Sequence, residues 1–245
     1  MAHRQSPPQE GESNAARNTA SLNPAPTPAR KAGIGEGTAI AQGRFIIHEE
    51  LGFGSSATVY RAHDLKNRLD VALKIFHQAG AEGLRSVKRE VRFLRDLDHP
   101  TFVRIHELFL SHLPPFFSMS LEKGQPLSAA LRDGAPINKV CEEITTGLIC
   151  LHDNGRIHAD LKPENILVTQ QGDVKLLDFG SAILLNKKQK APQRVGTTKY
   201  WAPEIPQGNL PSPESDAYAL GAILFDAICL NQHFLQIPQE RRFQE

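Results

Sequence analysis

The sequence predicts an α+β fold of two lobes, a small β-rich N-terminal lobe and a helical C-terminal lobe that is shortened at its end. Three observations lead to this prediction. Short apolar segments of strand length, with one amphipathic helical pattern among them, fill residues 44 to 121. Helical periodicity replaces them from about residue 125. Residues 216–230 are apolar nearly all round, which is typical of a helix buried at the centre of a lobe.

Length, charge and cysteine usage exclude several classes of protein. The 245 residues include 28 Lys and Arg against 27 Asp and Glu, a formal net charge of +1 that gives no reason to expect nucleic acid as a partner. The sequence shows no apolar run of membrane-span length and no secretory signal. Cys141, Cys150 and Cys229 lack the spacing of a zinc or disulfide framework and are interpreted as small core residues. We therefore expect a soluble protein of a reducing compartment, the cytoplasm.

Composition divides the chain at about residue 43. Residues 1–43 are rich in Pro, Ser, Asn, Ala, Gln and Gly and hold almost no large apolar side chains, so we expect a disordered arm. Whether this arm docks on a partner or delivers the protein to another compartment stays open. The ordered domain is predicted over residues 44–245, with an N-terminal lobe at 44–119, a connecting segment at 120–124 and a C-terminal lobe at 125–245.

The N-terminal lobe is predicted to hold strands at residues 45–47, 57–62, 71–76, 102–109 and 116–121. Between the third and fourth of these, a helix is predicted whose buried face consists of Leu84, Val87, Val91 and Leu94. In the C-terminal lobe, helical spacing from Ile137 to Leu151 ends at Asn154-Gly155. A β-hairpin follows over residues 165–177, and the buried helix covers residues 216–230.

A lysine and a glutamate stand out within apolar patterns. Lys74 ends the apolar segment Val71-Ala72-Leu73-Lys74, and the period of two puts it on the face of Ala72. Glu90 lies three residues after Val87, along the apolar stripe of the predicted helix. Because a buried ammonium needs an anionic partner, the two side chains are predicted to form an ion pair.

Oxygen ligands cluster around the predicted hairpin. Asp160, Asn165 and Asp178 flank it, and carboxylate and amide oxygens suit metal ions that are bound to phosphate. A glycine turn, Leu51 to Val59, precedes them between two strands, although by itself such a turn is most often a plain hairpin. A metal site built on Cys150, His152 and His158 is the rival interpretation, and it lacks a second ligand pair.

Taken together, the motifs resemble the catalytic domain of eukaryotic-type (Hanks-type) serine/threonine protein kinases from residue 44 to about 230. The resemblance covers the glycine turn, Lys74, Glu90, Asp98-His99-Pro100, residues 158–165, Asp178-Phe179-Gly180, residues 196–204, and Asp216 with Gly221. It implies a bilobal protein-kinase-like fold, ATP and Mg²⁺ as cofactors, and a protein substrate.

The resemblance also implies residue roles. Asp160, Lys162, Lys74 and Glu90 would be catalytic, with Asp160 orienting the substrate hydroxyl and Lys162 reaching the γ-phosphate. Asn165 and Asp178 would bind Mg²⁺. The nucleotide would be bound by Leu51, Gly52, Phe53, Gly54, Ser55, Ser56, Ala57, Val59, Ala72, Lys74, Met119, Ser120, Glu122 and Leu167. In this set the backbones of Ser120 and Glu122 would meet the adenine edge. Leu94, His158 and Phe179 would belong to an internal hydrophobic stack, and Thr197 would pack near Asp160.

The sequence departs from the family pattern at three places. Ala57 replaces the third glycine of the turn, and a modest effect on nucleotide affinity is expected. Ala159 replaces the arginine that gathers an activation-loop phosphate, which predicts activity independent of phosphate on Ser181, Thr197 or Thr198. The chain ends soon after the predicted buried helix, so either a partner caps the lobe or the domain is a minimal version. A kinase-like nucleotide-binding scaffold and a small-molecule phosphotransferase are the alternative functions.

Overall fold

The computed structural model of the chain describes residues 34–185 and 198–229, and for residues 228 and 229 the backbone alone. Its N-terminal lobe is a six-stranded antiparallel sheet with one helix, in the strand order β1-β2-β3-β4-β6-β5. The elements are β1 (Ala39–Ile40), β2 (Phe45–Phe53), β3 (Ala57–Asp64), β4 (Leu69–Phe76), α1 (Gly80–Leu94), β5 (Ile105–Phe109) and β6 (Phe116–Ser120).

The C-terminal lobe is helical, with small sheets at its junction with the first lobe. Strands β7, β9 and β10 form a three-stranded antiparallel sheet, and β8 pairs with β11. The elements are β7 (Gly124–Pro126), α2 (Leu127–Arg132), α3 (Ile137–Asp153), β8 (Arg156–Ile157), β9 (Ile166–Thr169), β10 (Val174–Leu176), β11 (Ile183–Leu184) and α4 (Pro213–Cys229). Among the described helices, none is long and apolar enough to cross a bilayer.

Some of the described structure lies before the predicted boundary at residue 43, because residues 34–43 include β1. Ala39 and Ile40 form β1 against Ile46 and Phe45 of β2. Ile40 is buried, and Ile34 packs against the same apolar cluster while its amide donates a hydrogen bond to the Tyr60 hydroxyl. Two isoleucines and backbone hydrogen bonds to β2 thus hold a segment that its polar composition assigned to the arm. Residues 1–33 of that predicted arm lie outside the described residues.

Two further sequence predictions, the start of the fourth strand and the buried face of the helix, differ in detail from the structure. The strand expected at residues 102–109 begins only at Ile105, because Phe102 instead forms a single parallel bridge with Leu176 of β10. Helix α1 is buried through Gly83, Val87, Glu90, Phe93 and Leu94. Leu84 and Val91 are only partly buried, since the helix is rotated toward Phe93.

The largest apolar cluster continues from one lobe into the other. It includes Ala72 and Val87 of the N-terminal lobe, Ile144 of α3, and Ile223 of α4. At the described end of the chain, α4 buries Ala219 and Ile223 whereas Ala217 and Gly221 are exposed, so its all-round apolar sequence overstates its burial. The shared cluster fixes the first lobe over the second, and the polar residues singled out in the sequence lie along this junction.

Candidate active site

Lys74 joins the two lobes through charge. Its Nζ lies 2.5 Å from Glu90 Oε1 and 2.8 Å from Asp178 Oδ1. Lys74 extends from the middle of β4, Glu90 from the buried face of α1, and Asp178 from the turn that follows β10. The predicted pair between Lys74 and Glu90 is therefore confirmed, and Asp178 completes a three-membered cluster.

Burial and charge act against each other in this cluster. Burial lowers the pKa of Lys74, but the charges of Glu90 and Asp178 outweigh it and the net direction is upward. Burial raises the pKa of Glu90, and the charge of Lys74 lowers it. The net direction for Glu90 is upward. The Lys74 charge lowers the pKa of Asp178 to about 2. The cluster thus holds a protonated lysine and an ionised Asp178 whose side chain is 43% exposed to the cleft.

Asp160, Lys162 and Asn165 form a second cluster below the first. Lys162 Nζ lies 2.9 Å from Asp160 Oδ2. Asn165 Nδ2 donates to the Asp160 backbone carbonyl at 2.9 Å and approaches Oδ2 at 3.4 Å. Because the amide nitrogen faces Asp160, the Asn165 oxygen is turned away from this carboxylate. The structure therefore brings together three of the residues that the sequence singled out.

A carboxylate from α4 holds the backbone of this loop. Asp216 accepts the amides of His158 and Ala159 at 2.9 Å each, and the His152 ring nitrogen Nε2 lies 3.0 Å from it. Ala159 has a φ of 66°, a left-handed conformation that costs energy in a residue other than glycine. The family resemblance includes Asp216 but gives it no role. Its contact with Ala159, 57 residues earlier in the chain, could not be predicted from the residues around it.

Phe179 is buried beneath α1 and supports the turn that carries Asp178. Its ring stacks on Phe93 at a centroid distance of 5.2 Å and lies 5.0 Å from the ring of His158. Phe102 meets its edge at 5.9 Å. Leu94, predicted as a stack member, belongs to the same apolar cluster, but Phe93 makes the ring contact. The sequence reasoning overlooked Phe93, although it lies only three residues after Glu90.

The glycine turn lies over the cleft. Residues 54–56 connect β2 to β3, and the Gly54 amide donates to the Ala57 carbonyl at 2.9 Å. A side-chain carbon built on Gly180 would lie 3.9 Å from Ser56 Oγ, so the turn faces the segment that carries Asp178. Leu51 and Phe53 are 47% and 40% exposed at its entrance. Backbone amides in such a turn can approach phosphate oxygens closely.

His77, which the sequence reasoning missed, fixes this turn from the end of β4. Its amide donates to the Ser56 carbonyl at 2.9 Å, and its ring stacks on Phe53 at a centroid distance of 5.1 Å. Its Nε2 lies 2.8 Å from Thr58 Oγ1, and its Nδ1 lies 3.4 Å from the Ser55 carbonyl. His77 thus contacts Phe53, Ser55, Ser56 and Thr58, which are four of the six positions from 53 to 58.

Only some of the residues predicted to line the adenine pocket contact one another in the structure. Ala72 lies opposite Met119 in the sheet, and Val59 packs against their apolar cluster. The Ser120 amide donates to the Arg104 carbonyl at 2.9 Å, so only the carbonyl of Ser120 is left to meet an adenine edge. Ser120 Oγ also donates to Glu122 Oε1 at 2.8 Å, which orders the connecting segment.

Leu167, a predicted pocket residue of the C-terminal lobe, lies in β9 opposite Pro126 of β7. A side-chain carbon built on Gly124 would lie 3.0 Å from Leu167 Cγ and 2.4 Å from the Val168 carbonyl oxygen. Gly124 therefore permits β7 to approach β9, a second requirement that the sequence reasoning missed.

The family assignment follows from comparison with known proteins. A family model for the protein kinase domain matches residues 45–245. The chain belongs to the protein kinase domain family.

Several curated kinases are similar to this domain. PrkC of Bacillus subtilis, a serine/threonine-protein kinase, is 32% identical over 196 residues, which are 76% of this chain and 30% of PrkC. RqkA of Deinococcus radiodurans, a DNA damage-responsive serine/threonine-protein kinase, is 36% identical over 213 residues, 81% of this chain and 31% of RqkA. PknL of Mycobacterium tuberculosis is 30% identical over 201 residues, 78% of this chain and 50% of PknL. The matched part of the chain thus spans between 30% and 50% of the length of these relatives.

The protein kinase domain family uses ATP and typically Mg²⁺, and the donor set here fits such an ion. Asp178 uses Oδ1 for Lys74 and the Gly180 amide, and its Oδ2 has no hydrogen bond among the described residues. With the Asn165 amide oxygen, this leaves hard oxygen donors at the cleft, as Mg²⁺ prefers.

The rival interpretation, a metal site built on Cys150, His152 and His158, finds no such support. His152 contacts Asp216, His158 is buried with its Nε2 3.2 Å from the Leu177 carbonyl, and neither groups with Cys150 as metal ligands within the described ranges. Cys141 and Cys150 are free, half-buried thiols rather than fully buried core residues. The side chain of Cys229 and all of Thr197 lie outside the described residues.

Proposed function

We propose that this kinase domain transfers the γ-phosphate of ATP to serine or threonine hydroxyls of a protein. The observation that carries the proposal is the Lys74 ammonium, held between Glu90 of one lobe and Asp178 of the other. Phosphoryl transfer depends on positioning and charge neutralisation, and a fixed cation beside a metal-binding carboxylate supplies both.

Within this proposal the residues divide the work by their place in the cleft. Lys74 binds the α- and β-phosphates, and Glu90 keeps the ammonium pointed at them. The glycine turn, residues 52–57, covers the phosphates, and the amides of Ser55 and Ser56 face their oxygens. Ala72, Val59 and Leu167 enclose the adenine, with the Ser120 carbonyl and the Glu122 backbone at its edge, and Leu51 and Met119 close the pocket. Asn165 and Asp178 hold Mg²⁺, which would neutralise phosphate charge.

The acceptor side is assigned to the Asp160 cluster. Asp160 orients the substrate hydroxyl and takes its proton, while Lys162, 2.9 Å from that carboxylate, meets the γ-phosphate. Lys162 lies two residues after Asp160, and in the family that the sequence resembles this spacing is typical of serine/threonine rather than tyrosine kinases, which supports these hydroxyls as acceptors. The curated relatives are named as serine/threonine-protein kinases, in agreement with this choice.

A transfer assay tests the proposal. The purified chain, given Mg²⁺ and γ-labelled ATP, is expected to label a generic basic protein on serine and threonine. Asp160→Asn should reduce the rate at least about 100-fold, because it removes the proton acceptor. Asp133→Asn, at an exposed position on the far end of α2, is the matched control and should act like wild type.

The alternatives give different results in the same assay. ATP binding without transfer by the wild-type chain would contradict the proposal and support the nucleotide-binding scaffold. Label found only on small metabolites would support a small-molecule phosphotransferase.

A further inference from the structure

A cluster of imidazole and carboxylate groups lies on the outer face of the N-terminal sheet, away from the nucleotide cleft. His48 of β2, His63 of β3 and Asp70 of β4 each offer one ligand atom, and these atoms lie within 4.8 Å of one another. His63 Nδ1 is 2.8 Å from Asp70 Oδ1, and the two imidazole centroids are 6.5 Å apart. The proposed catalytic machinery uses none of these residues.

Strand register explains why the three side chains meet. His63 lies directly opposite Asp70, so both point to the same face of the sheet. On the other side His63 lies opposite Ile46, and a register shift between Ile47 and Glu49 leaves His48 as an extra residue without a partner. This bulge keeps His48 on the outer face beside His63.

The charges around the cluster favour a cation. Arg61 donates to Asp70 Oδ2 at 2.8 Å and to Glu49 Oε1 at 3.2 Å, which leaves Asp70 Oδ1 directed at His63. Two carboxylates and one guanidinium leave one net negative charge when the imidazoles are neutral. The side chains of His63 and Asp70 are about one third exposed, so an ion can reach them from solvent.

We propose that His48, His63 and Asp70 bind a late first-row divalent metal ion, of which Zn²⁺ is the most available. Two imidazole nitrogens and one carboxylate oxygen are a common ligand set for zinc, and water would complete the coordination. Mg²⁺, which prefers oxygen ligands, would not compete there. The bound ion would tie together β2, β3 and β4, the strands that carry the glycine turn and Lys74.

The test is Zn²⁺ titration by calorimetry, with Mg²⁺ in excess to fill the cleft and a phosphine reductant present. The wild-type chain should bind one Zn²⁺ saturably at this face. His48→Gln, His63→Ala and Asp70→Asn should each lower the affinity at least about 10-fold, because even outer-shell partners of a metal contribute 10- to 100-fold. His106→Ala removes an exposed imidazole from β5 of the same sheet and should bind Zn²⁺ like wild type.

Thermal unfolding supplies a second measurement that does not depend on activity. Zn²⁺ should raise the Tm of wild type and of His106→Ala, and at the same Zn²⁺ concentration it should raise the Tm of His48→Gln less. His48→Gln without Zn²⁺ should melt like the wild-type chain, since position 48 has no partner in the sheet. The proposal is wrong if wild type shows no saturable binding, or if the three variants bind Zn²⁺ as tightly as wild type.

Discussion

At the scale of single residues, the candidate site depends on how Lys74 remains charged while only 6% exposed. Desolvation alone would favour the neutral amine. Two carboxylates reverse this preference, and they come from α1 and from the turn after β10. The same residue therefore contributes to stability and to the proposed phosphate binding, and the two contributions can be separated by mutation.

Replacing Lys74 by Met should destabilise the domain by about 3 kcal/mol, because Glu90 would remain buried without its partner. The double variant Lys74→Met/Glu90→Gln removes that unpaired charge and should recover much of the lost stability. Both variants should lack transfer activity. Urea unfolding followed by the fluorescence of Trp201 measures the difference, and equal midpoints for the single and double variants would contradict the argument.

A second prediction concerns Asp64, whose side chain is 2% exposed at the end of β3. It accepts from Arg44 at 3.0 and 2.9 Å and from the Lys66 amide at 2.9 Å. The Arg44 hydrogen bonds lower its pKa from 3.8 to about 2. Because the pKa is lower in the folded state, its contribution is present above pH 3.8 and is lost as the pH falls toward 2.

Comparison with Asp64→Asn isolates this contribution. Wild type should exceed the variant in stability by roughly 2 kcal/mol at neutral pH, and the gap should close between pH 4 and pH 2. Urea unfolding at a series of pH values checks it. A gap that stays constant over this range would show that Asp64 does not titrate as described.

At the scale of elements, the glycine turn is held by a residue outside it. Replacing His77 by Ala removes the ring on Phe53 and the contact with Thr58, so the turn should sample more conformations. One hydrogen bond of about 0.5–1.5 kcal/mol corresponds to a rise in the KM for ATP of roughly two- to tenfold, with kcat changed less. His77→Phe keeps the stacked ring, and its KM for ATP should lie between those of wild type and His77→Ala. An unchanged KM in His77→Ala would show that the turn is positioned by its own backbone.

How much could be predicted from the sequence differs between kinds of contact. The pair of Lys74 and Glu90 followed from two short periods, two for β4 and 3.6 for α1, because each period fixes which face a residue occupies. The role of Asp216 toward the amide of His158 could not be predicted this way, since the path of the chain between them decides it. The bulge at His48 could not be predicted either, because nothing in the alternation of apolar and polar residues in β2 indicates an extra residue.

At the scale of the whole molecule, the two lobes meet in a closed arrangement, defined by the contacts that cross their junction. Phe179 is buried beneath α1, and Lys74 contacts carboxylates of both lobes. Ala159 presents only a methyl group where related kinases carry an arginine, and its amide is held by Asp216. Lys199, the nearest basic residue after Thr198 in the chain, lies 2.5 Å from Asp226 of α4. Among the described residues, a phosphate on this segment would therefore find no arginine at position 159, and Lys199 is already paired with Asp226.

Activity should therefore not depend on phosphate at Ser181 or Thr198. The double variant Ser181→Ala/Thr198→Ala should retain transfer activity within about twofold, since substitutions away from buried contacts usually change free energies by no more than 0.5 kcal/mol. Phosphatase treatment of the wild-type chain should have equally little effect. Thr197 stays unchanged in this variant, because it is predicted to pack near Asp160. A loss of transfer with ATP binding intact would mean that another cation gathers a phosphate on this segment, and that the closed arrangement requires it.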